Sequence, residues 1–130
     1  MSAALSEEEL TFLRSLFDLA RAGDAEGLVE ALDAGVPANL TNEAGDTLLI
    51  LAAYHDHPDT VRALVDRGAD TERVNDRGQT ALAAATFRRS RPSVTCLLAA
   101  GADPARGQRS ALDVARFFDQ HEMLALLRSP

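Results

Sequence analysis

The chain has no lysine and a single cysteine in 130 residues, and its 13 cations are all arginine. One cysteine, Cys96, cannot close an internal disulfide, so no disulfide framework of the secreted kind is present. No apolar run approaches the roughly 18 residues a membrane-spanning helix needs, and Met1 to Glu9 is acidic rather than a basic, apolar leader. Positive charge is also short: the net charge is -7. That balance disfavours a general nucleic-acid-binding role, because such affinity rests on cations neutralising phosphates. No nucleophile elbow, phosphate-cradling glycine loop or cysteine–histidine zinc spacing occurs. The expectation is a cytoplasmic monomer without cofactor, not an enzyme, with neither membrane nor nucleic acid as partner.

What the sequence does have is a period. Displaced by 33 residues it overlays itself, with Gly45 on Gly78, Thr47 on Thr80, Leu49 on Leu82 and Gly68-Ala69-Asp70 on Gly101-Ala102-Asp103. A repeat of this length marks a stack of supersecondary units that bury apolar faces against one another. Met1 to Leu5 reads as frayed. Ser6 and Glu9 form a capping-box pattern, after which Leu10, Leu13, Leu16, Phe17 and Ala20 keep helical spacing to Arg21. A second helix is expected over Ala25 to Ala34, closed by Gly35. Further pairs follow at Thr47 to His55 with Asp59 to Arg67, Thr80 to Arg88 with Pro92 to Ala100, and Ala111 to Phe118 with Glu122 to Leu127. Polar turns at Val36 to Asp46, Thr71 to Gln79 and a loop shortened by three residues at Asp103 to Arg109 separate the pairs.

A helix–turn–helix unit of this length followed by a β-turn resembles the ankyrin repeat. The residues that carry the likeness are Gly78-Gln79-Thr80-Ala81-Leu82, Ala84-Ala85, Val94, Leu97, Leu98 and Gly101-Ala102-Asp103. Gly45-Asp46-Thr47-Leu48-Leu49, Leu51-Ala52-Ala53, His57, Val61, Leu64 and Gly68-Ala69-Asp70 repeat them. The family's Thr-Pro-Leu-His is altered to Thr47-Leu48-Leu49-Ile50, Thr80-Ala81-Leu82-Ala83 and Ser110-Ala111-Leu112-Asp113. The resemblance implies an all-α, ankyrin-type helical repeat solenoid with short β-turn or hairpin loops. It would form one domain over residues 1–130, in units of about 6–44, 45–77, 78–107 and 108–130. Small alanines on the first helices and larger Leu and Val on the second helices would curve the stack and leave one face concave.

The resemblance also implies a role: an adaptor or scaffold binding another protein through the groove and the loop tips. At the ends of the first helices, where the family faces its groove, stand Arg21-Ala22, Tyr54-His55, Phe87-Arg88 and Phe117-Phe118. Tyr54, His55, Phe87, Arg88 and Phe117 are the expected anchors, aromatic and arginine side chains being apt for interface hot spots. Arg77 and Arg109 are the expected rim. The bland alternative packs Phe87 and one of Phe117-Phe118 into the stack. Charge is segregated, with eight acids in residues 1–35 and six arginines in residues 80–116. Arg88, Arg89, Arg91, Arg106 and Arg109 would suit an acidic partner unless they form only a solvated face. Asp46 is placed on an exposed loop tip, and Cys96 is expected as a small buried hydrophobe. Two rival readings are an inhibitor or immunity-type protein that blocks an enzyme, and a metal-dependent hydrolase using His55, His57 and Asp59. The second is weak, because those three side chains match no ligand spacing and a turn splays them.

Overall fold

The computed structural model describes residues 5–128. The irregular start expected at Met1 to Leu5 therefore lies outside the described residues, apart from Leu5, which is exposed and non-helical. Eight helices are present among the described residues: α1 (Glu7–Ala22), α2 (Ala25–Asp33), α3 (Leu48–Tyr54), α4 (Pro58–Asp66), α5 (Ala81–Phe87), α6 (Arg91–Ala99), α7 (Ala111–Phe117) and α8 (His121–Arg128). They form an all-α stack of four helix pairs in two layers. Helices α1, α3, α5 and α7 pack in sequence in one layer and α2, α4, α6 and α8 in the other.

Local chemistry sets the helix starts. Ser6 caps α1 with Glu9 answering in a capping box, and the Thr47 and Thr80 hydroxyls accept from the Ile50 and Ala83 amides. Ser110 with Asp113 forms a second capping box at α7, so the altered Thr-Pro-Leu-His segments still begin helices. The first three of the second helices, α2, α4 and α6, are followed by glycines at positive φ, Gly35, Gly68 and Gly101, where a side chain would be strained.

The core lies where neighbouring first helices meet. Leu48 to Ala53 in α3 and Ala81 to Thr86 in α5 are buried without a break. A helix apolar all round is the signature of an element enclosed on every side. The alanines at 52, 53, 84 and 85 admit the adjacent helix closely, while Val61, Leu64, Val94 and Leu97 fill the second layer. Cys96 departs from expectation in degree: it is half-buried, packed against the core rather than enclosed by it. Burial still pushes its thiol above the ordinary value.

The turn inside each pair also repeats. Gly23 in the first pair is followed at the same place by Asp56, Arg89 and Asp119, all in the left-handed region with φ of 77°, 61°, 55° and 54°. His57, just after this turn, donates its ring Nε2–H to the Arg21 carbonyl at 2.8 Å and so ties the second pair to the first.

Candidate functional site: an aromatic row between helix ends and loops

The ends of α3, α5 and α7 bring the predicted aromatics together. The Tyr54 and Phe87 rings lie parallel, 5.9 Å apart at 3°. His55 meets Tyr54 edge-on at 5.2 Å. Phe87 continues to Phe118, at 5.6 Å and 70°, and Phe118 to Phe117, at 4.9 Å and 78°. Each contact of this kind contributes about 0.5–1.5 kcal/mol beyond burial, so the rings hold one another in place.

By register Phe117 is the counterpart of Tyr54 and Phe87, yet it is Phe118 that reaches Phe87. Phe117 stands 82% exposed against 43% for Phe118 and 38% for Phe87. The helix length and cap register are the same in α3, α5 and α7, and in the last unit the side chain one residue further on takes the place in the row. The adjacent pair of phenylalanines was visible in the sequence; which of the two would turn inward was not.

Two of the loop arginines prove unlike one another. Arg77 is held: its guanidinium lies 5.7 Å above the Tyr54 ring and 3.8 Å from Asp46 Oδ1. Asp46 itself is buried, against the expectation of an exposed tip, because Asn75 Nδ2 donates to its Oδ1 at 2.8 Å. Asn75 in turn accepts from the Arg77 and Gln79 amides. Loop-to-loop backbone bonds from Asp76 N to Ala44 O and from Arg109 N to Gly78 O, both 3.0 Å, join successive tips.

Arg109 instead faces a cleft of about 470 Å³, lined also by Gln79, Phe87, Asp113, Val114, Phe117 and Phe118. Gln79 belongs to a turn tip already expected to take part, whereas Asp113 in this lining was not anticipated. A wider depression of about 750 Å³ lies at the other end, between α1 and residues 40–44. The arginine run expected as one patch is divided: Arg91 pairs with Glu122 and Arg106 donates to the Glu72 carbonyl. Arg88 and Arg109 have no ion pair or side-chain hydrogen bond among the described residues. The His55 pKa is held below its ordinary value, first by burial, then by the charges of His57, Arg21 and Arg88, with Asp46 acting in the opposite direction.

His55, His57 and Asp59 do not converge. No group of three His, Cys, Asp or Glu side chains among the described residues is arranged to hold a metal ion, and His57 Nε2 is engaged by Arg21. No helix among the described residues is long and apolar enough to cross a membrane.

Stacked helix pairs with bonded loop tips define a helical-repeat solenoid. The sequence model for ankyrin repeats (three copies) matches residues 16–108, well over half of the chain, and the chain belongs to the ankyrin repeat family. Ankyrin repeats are generally protein–protein interaction modules, and the family is typically non-enzymatic. An ankyrin repeat protein of Pseudomonas aeruginosa is 52% identical over 58 residues, 45% of this chain and 34% of that protein. The match thus spans about a third of the relative's length.

Proposed function

We propose that this protein is an adaptor-type module that holds a partner protein against the aromatic row and the adjoining loops. The observation that carries this reading is the row itself, Tyr54, Phe87 and Phe118, continued by a Phe117 that is almost wholly exposed. Large apolar side chains gathered on one face, rather than scattered, mark an interaction surface. Mutual ring packing and the Arg77–Asp46–Asn75 bonds fix the surface before a partner arrives, which lowers the ordering cost of association.

Tyr54, His55, Phe87, Arg88 and Phe117 act as anchors in this reading, with Phe118 added, and Arg77 and Arg109 act from the loops. The test is the double variant Tyr54→Ala/Phe87→Ala, checked for helix content by circular dichroism. Its affinity for a partner recovered from the native cell should fall at least roughly tenfold, as loss of a hot-spot pair does. Unchanged affinity with folding intact overturns the assignment.

A further inference from the structure

We propose that the α5–α7 end of this groove receives an acidic peptide segment, an extended stretch of partner chain whose carboxylates flank an aromatic or branched aliphatic side chain. The proposal rests on the protein-binding reading and adds the chemistry of the occupant. The cleft there is about 470 Å³, room for one or two large side chains rather than a folded element. Phe87, Phe117 and Phe118 give it an apolar wall, and Arg109 closes it from the loop side.

Charge decides what accompanies the apolar group. The chain carries 20 acids for 13 arginines, so carboxylates are in excess. Arg21, Arg67, Arg73, Arg77 and Arg91 each lie within 4.0 Å of one. Arg109 in the cleft has none among the described residues, nor has Arg88, next in sequence to the cleft residue Phe87; the same holds of Arg89 and Arg116, next in sequence to Arg88 and Phe117, and of Arg14, Arg62, Arg106 and Arg128 elsewhere. Asp113 is the acid in the lining, and its Oδ2 accepts from the Ser110 amide at 3.2 Å, in the cap of α7. Unpaired guanidinium forks next to a small apolar cleft match carboxylates at the edges of a buried side chain, each fork able to donate to both carboxylate oxygens. Phosphate-bearing strands fit less well, because the chain as a whole carries a net charge of -7 and would repel a long polyanion.

Random peptides displayed on phage and selected on the immobilised protein test this directly. Recovered sequences should be enriched in Asp and Glu around a Phe, Leu or Ile, and the synthetic versions should weaken as salt is raised. Their affinity should fall at least roughly tenfold on Arg88→Glu/Arg109→Glu, whose side chains are exposed, and selection on that variant should turn to basic peptides. Peptides lost with Tyr54→Ala/Phe87→Ala but lacking an acidic bias, or indifferent to the charge reversal, overturn the proposal and leave the groove reading standing. Peptides indifferent to the aromatic double variant overturn both. Recovery of nothing above background, or tighter binding of a fluorescein-labelled oligo(dT) than of the selected peptides, also overturns the proposal.

Discussion

Asp46 connects structure and site in one side chain. It accepts from Asn75 across two loops and lies close to the Arg77 that covers Tyr54. Removing it leaves a buried Asn75 amide without its acceptor, a loss of about 1–3 kcal/mol. Asp46→Ala should therefore lower the urea midpoint measurably and also free Arg77 from its place, whereas Arg77→Ala should leave stability within about 0.5 kcal/mol. The paired phenylalanines separate in the same way. Phe117→Ala should keep stability and weaken partner binding, while Phe118→Ala, which removes contacts to both Phe87 and Phe117, should reduce both; thermal melts and titrations on the same samples distinguish them. His55 adds a pH dependence. Its folded pKa lies below the ordinary value near 6.5, so the unfolded chain takes up more proton between the two values. Stability is then lost as pH falls through that window, and His55→Gln should flatten the fall in denaturation midpoint between pH 7.5 and pH 5.

At the scale of elements, the turn between paired helices holds the clearest backbone cost. Arg89 occupies the left-handed conformation that Gly23 provides freely in the first pair. For a residue with a long side chain this costs about 1–2 kcal/mol, so Arg89→Gly should raise the melting temperature. Gly107 argues the other way, since a Cβ there would sit 2.5 Å from the Gly78 carbonyl oxygen while φ is already +94°. Gly107→Ala should be destabilising by more than Gly68→Ala, where φ is +85° but nothing lies within 4 Å. Matched chemical denaturation of the two variants checks this, and equal losses would show that the close approach between the loops yields without cost.

Across the whole molecule, stability comes from neighbour-to-neighbour faces rather than from a central mass. The enclosed helices α3 and α5 bury six residues in succession, whereas α7 buries only Ala111, Val114 and Ala115. Amide hydrogen exchange should accordingly be slowest in α3 and α5 and faster in α7 and α8. Leu82→Ala, in the fully buried row, should cost about 2–5 kcal/mol. Joining the tips by backbone bonds makes the proposed binding face a property of several units together, so a loss at one interface should also weaken binding at its neighbours.

Period, capping residues and terminating glycines were sufficient to read the all-α repeat stack and the helix limits to within about one residue, because those signals act within a few residues of the chain. The same register brought Tyr54, Phe87 and the Phe117-Phe118 pair to one row. Side-chain direction could not be read that way: which phenylalanine closes on Phe87, and that Asp46 is buried rather than presented, depend on contacts between loops some thirty residues apart. Nor could pairing be read from composition, since Arg91 and Arg106 find partners on neighbouring units while Arg88 and Arg109 do not. Local rules fix where a helix starts and stops, but the position of a charge or a ring relative to its neighbours is settled only when adjacent units pack.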